Sequence, residues 1–166
     1  MKSTLMRPRL LFPAVTDNEP PLTFTLRVLA HRCVSLFPGT AGCGITLLTT
    51  DGRRITSVAT DRVAERLIAL HDANPQNPCA NAWRHNTVRR AQHSATRLGW
   101  APWMAAARGL GLRSVLAAPL CAPQRRLGTV FVYSTHPDSY RHGHGPLLAE
   151  FAAAAALDID RCQTPG

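Results

Sequence analysis

Long apolar runs and any paired-cysteine pattern are what this chain of 166 residues lacks, and lysine occurs only once. No segment approaches the ~18 uncharged residues of a membrane-spanning helix, and the longest candidate, Ala152 to Leu157, is short and alanine-rich. A membrane span is therefore not expected. Lys2, Arg7 and Arg9 precede no apolar core with a small-residue cleavage site, so the N-terminus reads as a cytoplasmic tail rather than a secretory leader. The cysteines number five (Cys33, Cys43, Cys79, Cys121 and Cys162). An odd count, irregular spacing and no C-x-x-C predict reduced thiols in a cytoplasm. The single H-x-H, His142 with His144, lies in a glycine-rich turn without nearby acid or thiol ligands, so no metal site is expected. Paired carboxylates, G-x-S-x-G, H-E-x-x-H and a phosphate-binding glycine loop are also missing, which leaves no recognisable catalytic constellation.

What is present suits one ordinary domain: 45% of the residues are hydrophobic and 17% charged, with no internal repeat. A net charge of +9 favours anionic partners in general. Lys2 is nevertheless the sole lysine among 19 basic residues, and the arginines scatter over almost every segment without interleaved aromatics. That distribution argues against nucleic acid as the partner.

Residues 1–21 are expected to be a flexible tail, 22–162 one domain and 163–166 a second short tail. Leu22, Leu26, Leu29, Cys33 and Leu36 recur at spacings of four and three, one stripe of a helix stopped by Pro38 and Gly39. The period then changes. Ile45 and Leu47 alternate with polar residues, Asp51-Gly52 follows, and Ile55 and Val58 continue the alternation, which predicts a hairpin of strands at 44–50 and 53–60. From Asp61 the apolar positions Val63, Leu67 and Leu70 restore a helical stripe as far as Asn74-Pro75. Asn77 and Pro78 provide an N-cap and a first helical residue for a short third helix. A short strand at 87–90 and a helix from Trp100 past Ala107 come next. Two β-branched runs, 114–120 and 127–134, form a second hairpin around the polar loop Cys121 to Arg126, and Leu148, Phe151, Ala155, Ile159 and Cys162 mark a closing helix. Two hairpins joined through helices predict an α+β fold with a central antiparallel sheet of about five or six strands and helices on both faces.

These elements, filled by Ala41 to Leu48, Val58 to Asp61, Asn77 to Trp83, Leu110 to Leu120 and Leu127 to Ser134, resemble a GAF domain. The likeness spans about residues 22–161 and points to the actinobacterial subgroup often found ahead of an ANTAR RNA-binding domain. It implies a GAF/PAS-like sheet, a small-molecule pocket on one face and dimerisation through the terminal helices. It names no single ligand, because similar domains bind cyclic nucleotides, haem, bilins, small acids or nothing known. Gln76-Asn77-Pro78-Cys79 stands where the subgroup has Glu-Gly-Pro-Cys, and Gln92-His93 stands where an acid commonly follows the third strand. Both departures remove carboxylates near the implied pocket. No ANTAR portion is expected within the 166 residues.

On this basis the pocket should draw on Ser57, Cys79, Trp83, Trp100, Trp103, Met104 and Arg113. Three of the ten aromatic residues are tryptophans on the helices that would roof it. They either stack on a planar ligand or fill the core. Cys79, in a first helical turn, is either a thiolate favoured by the helix dipole or a small packed residue. Related free-methionine-sulfoxide reductases use a cysteine at a comparable helix start, but their further active-site cysteines have no evident match here. His31, His71, His85 and His93 are haem ligands in principle and surface residues on context. Arg53-Arg54, Arg89-Arg90 and Arg125-Arg126 are either a basic rim or solvated strand-end charges.

The expectation is a stand-alone, non-enzymatic cytoplasmic sensory or regulatory module that binds a small molecule or a partner protein. It would be a homodimer through residues 22–37 and 147–162, with Ala152 to Ala156 allowing close approach. One alternative is a thiol-based redox sensor or reductase using Cys79; another is an RNA-linked transcription regulator acting through a separate output chain.

Overall fold

A computed structural model describes residues 19–92 and 99–163. His93 and most of both expected tails, 1–18 and 164–166, lie outside the described residues. In chain order the elements are α1 (Pro21–Leu36), β1 (Gly42–Leu48), β2 (Arg54–Ala59), α2 (Arg62–Ala73), α3 (Pro78–His85), β3 (Arg89–Ala91), α4 (Ala101–Gly109), β4 (Ser114–Ala122), β5 (Arg125–Ser134) and α5 (His144–Gln163). The strands make one five-stranded sheet in the order β2-β1-β5-β4-β3, and every neighbouring pair is antiparallel. Both expected hairpins are therefore present, bridged at the centre by β1 and β5.

Local chemistry explains most boundaries. The Asp61 carboxylate accepts from the Ala64 amide at 3.2 Å and starts α2, while the Asn77 side chain accepts from Ala80 at 2.9 Å and starts α3 behind Pro78. Asn86 closes α3 in the left-handed region at φ 51°, a conformation asparagine tolerates well. The second hairpin is tighter than the six-residue loop read from the sequence. Ala122 pairs with Arg125 across a two-residue turn, Pro123 and Gln124. Arg125 is tied to Asp160 and Gln163 of α5, which carries β5 out to that turn.

Alternation along the strands divides the core in two. Ile45, Leu47, Leu116, Leu120, Val130 and Val132 face α1 and α5. Val115, Ala117, Phe131 and Tyr133 face α2, α3 and α4. Gly44 belongs to the second face, and a Cβ there would collide with the Phe131 ring. Glycine thus lets the central ring lie flat across β1.

The first helix corrects one expectation. Leu26, Leu29 and Cys33, which lie in the segment 22–37 expected to pair two subunits, are at most 4% exposed and pack against the sheet and α5 of the same chain. Ala152, Ala155 and Ala156 likewise pack inward, while Ala153 and Ala154 are exposed. The stripe was legible, but a 4-3 spacing serves a sheet face as well as a helix partner. Leu29 therefore belongs to the core, where an aspartate would disrupt folding rather than separate subunits.

Candidate functional site

On the α2–α3 face the sheet is not fully covered, and a cavity of about 290 Å³ remains. Its floor is Thr46 and Leu48 of β1 with Thr129 of β5; Thr46 and Thr129 are direct cross-strand partners. One wall comes from α2, through Ile68, His71 and Asp72. The roof is the loop between α2 and α3, followed by Cys79, Ala80 and Trp83. Gly52 and Arg54, from the first hairpin, close the remaining side.

The roof is held by short-range polar contacts. Asn77, 1% exposed, donates from Nδ2 to the Asn74 carbonyl at 2.8 Å while its Oδ1 caps α3. Arg84 donates to the carbonyls of Ala80 and Pro75, both at 3.3 Å. Arg126 reaches back from β5 to the Trp83 carbonyl, and its guanidinium lies 5.2 Å from the Trp83 ring centroid, a cation–π distance. The hairpin tip stands beside the same ring. Gly52 has φ +87°, and a Cβ on it would sit 3.4 Å from the indole nitrogen. The turn thus needs glycine for its backbone conformation, while a Cβ there would make only ordinary contact with the indole.

His71 is the most constrained polar group of the wall. Its ring stacks on Trp103 with centroids 5.6 Å apart and meets the edge of Phe131 at 5.4 Å. Burial, helped by the nearby Arg54 charge, lowers its pKa to about 3, so the imidazole is neutral near pH 7. Arg54 and Asp72 form an ion pair at 2.7 Å. Burial also pushes the Cys79 thiol up to about 12, opposed by a hydrogen bond with Thr129. Of the two readings of Cys79 the packed, protonated thiol is favoured over the thiolate, because desolvation outweighs the dipole of an eight-residue helix.

The seven residues expected at a pocket divide by place. Cys79 and Trp83 line this cavity. Trp103 stands behind His71, and Trp100 and Met104 are buried in the same core cluster without reaching the cavity wall. Ser57 lies in a different groove at the open edge of β2, beside Thr23 and Glu65. Arg113 is exposed and donates to the carbonyls of Arg108 and Leu112. Asp72 and the two threonines were not foreseen, and His71 and Arg54 were weighed only as a haem ligand or surface residue and as a rim charge. For His71 a signal was available: it follows Ala64 and Leu67 at the i, i+3, i+7 spacing of an inner helix face. The arginine pairs are engaged. Arg53 pairs with Asp51 and Arg54 with Asp72. Arg89 and Arg90 bond to Asn81 and the Tyr140 carbonyl, and the third pair to α5 and Trp83. Among the described residues no cluster of His, Cys, Asp or Glu could hold a metal, and no helix is long and apolar enough to cross a membrane.

A five-stranded antiparallel sheet walled by helices on both faces, with a cavity beneath two of them, defines the α+β class that the element order predicts. Within that class the chain belongs to the GAF domain family, whose model matches residues 21–160. No curated protein sequence matches it. Among solved structures it is similar to GAF3 from Slr1393 of Synechocystis sp. PCC6803 in its photoproduct state. That pair has a TM-score of 0.63 at 15% identity, covering 86% of this chain and 95% of that one. The GAF domain/HD domain protein from Geobacter sulfurreducens gives 0.63 at 14% identity, covering 87% and 95%. The GAF-B domain of DevS from Mycobacterium smegmatis gives 0.56 at 17%, covering 84% and 93%. At these identities the likeness speaks for the fold.

Proposed function

We propose that the chain is a non-enzymatic sensory GAF module of the cytoplasm that binds a small molecule between β1, β5, α2 and α3. The observation that carries this reading is the cavity of about 290 Å³, mostly apolar, with a few polar groups fixed by the surrounding structure. That is the general make-up of a ligand site. The absence of catalysis is inferred from how the reactive groups are held: the Cys79 thiol is protonated, the His71 imidazole is neutral and stacked, and the carboxylate of Asp72 is paired. Kinship with the actinobacterial ANTAR-linked subgroup rests on the sequence words Asn77 to Trp83 and Leu110 to Leu120. We further propose a homodimer through residues 22–37 and 147–162, using their outer faces, where Leu36 and Leu157 are 41% and 43% exposed.

Native mass spectrometry of protein purified without denaturation, repeated after incubation with a cytoplasmic metabolite extract, tests the ligand reading. A bound small molecule that is lost in Ala80→Phe is the expected result. A chain that remains bare in both conditions would replace the ligand by a partner protein.

A further inference from the structure

We infer that this cavity takes an aromatic carboxylate of one or two rings, with the ring along Trp83 and the carboxylate at the Arg54 guanidinium. The inference rests on the cavity being the ligand site proposed above. Three observations carry it.

The first is charge. Among the described residues that line the cavity, Asp72 is the one acid, and three guanidiniums stand around it. Arg54 belongs to the wall itself, while Arg84 and Arg126 are held to the roof by the carbonyls of Ala80, Pro75 and Trp83. A bond to a neutral carbonyl leaves a guanidinium fully charged. The Asp51–Arg53 pair at the hairpin tip adds no net charge, so the opening is positive and favours an anion. The second is the geometry of the donors. Asp72 engages Arg54 through one nitrogen, Nη2, at 2.7 Å, and a guanidinium has five N–H groups in a planar fork. Arg54 can therefore hold a second carboxylate without releasing the first. Both side chains are part-exposed, so a carboxylate seated there stays partly hydrated and escapes the cost of full burial. The third is size and shape. A cavity of roughly 150 Å³ accommodates one benzene ring, so about 290 Å³ accommodates two fused rings or one substituted ring. Trp83, with Arg126 on its ring, offers an aromatic wall, and Ile68 and Leu48 add apolar surface.

The test compares two probes of one shape and different charge, indole-3-carboxylate and indole-3-carboxamide, by titration calorimetry on the full chain at pH 7.5. Wild type should bind the carboxylate at least roughly tenfold more tightly. That preference should shrink as salt is raised from about 50 to about 500 mM, because the charges concerned are part-exposed. Arg54→Gln should abolish the preference and leave carboxamide binding within about twofold. Asp72→Asn, which removes the acid of the wall, should tighten the carboxylate by roughly threefold or more without tightening the carboxamide. Ala80→Phe should remove binding of both probes, and Trp83→Ala should weaken both by roughly tenfold through loss of the aromatic wall. The Trp83 variant also serves if Ala80→Phe does not fold. Equal or tighter binding of the carboxamide by wild type, still sensitive to these cavity variants, would overturn the charge inference and leave the ligand site standing. A preference for the carboxylate that survives Arg54→Gln would likewise overturn it. Failure of both probes to bind at millimolar concentration, or binding indifferent to Ala80→Phe and Trp83→Ala, would overturn the inference and the site together.

Discussion

At Cys79 two effects of opposite sign meet. The first turn of α3 favours a thiolate by a fraction of a kcal/mol up to about 1 kcal/mol, whereas a side chain only 5% exposed loses its hydration when it ionises. The second effect is larger, and the thiol stays protonated through the physiological range. Brief treatment with iodoacetamide followed by mass mapping should therefore label exposed Cys162 well before Cys79; the reverse order would restore a reactive thiolate. His71 shows the same physics with the opposite charge. Its folded pKa, about 3, lies below the ordinary 6.5. Above pH 6.5 neither the folded nor the unfolded state holds the proton. As pH falls toward 3 only the unfolded state takes it up, and stability falls with a slope of at most about 1.4 kcal/mol per pH unit. Urea midpoints for wild type and His71→Leu, measured at pH 7 and pH 4.5, check this. Wild type should lose more stability than the variant, and equal losses would mean that the imidazole is not buried in its neutral form.

At the scale of elements, the loop between α2 and α3 does the most for the site. Asn77 joins the end of one helix to the start of the next, accepting from Ala80 and donating to Asn74. Asn77→Ala removes the cap and leaves buried backbone groups without partners, at a cost of about 1–2 kcal/mol. A lowered thermal midpoint with an unchanged far-ultraviolet circular dichroism spectrum at 20 °C is the expected signature. An unchanged midpoint would show that the cap does not hold the roof. This element was readable in advance, because an asparagine followed by proline carries its structural instruction within two residues. The same holds for Asp51-Gly52 and for Asp61 ahead of α2. What the two helices enclose was not readable, since Asn77 as an N-cap says nothing about the threonines across from it.

At the scale of the whole molecule, the two faces of the sheet are used differently. The α1–α5 face is closed by Leu26, Leu29, Cys33, Leu148 and the inward alanines, and its outer surface retains the apolar Leu36 and Leu157. A dimer formed there would leave the cavity on the opposite face free. Light scattering at micromolar concentration should give a mass near twice the 18.1 kDa of one chain, and Leu157→Asp should return it toward one. A monomeric wild type would remove the dimer, and a dimeric variant would move the interface to another surface.

The sequence alone determined whatever is encoded within a few residues: the helix stripes, the cap at Asn77, the start of α2 at Asp61, the two hairpins and hence the antiparallel α+β class. Tertiary structure decided which of those residues meet. Thr46 and Thr129 become partners only because β5 returns beside β1. Trp103 becomes a support for His71 only because α4 packs beside α2. Arg54 finds Asp72 across the gap between β2 and α2, and the α1 stripe turns to the sheet instead of to a second chain. Spacing along the chain fixes the face on which a side chain stands. What stands opposite depends on burial and charge pairing between elements distant in sequence, and these contacts also give His71 and Cys79 their protonation states.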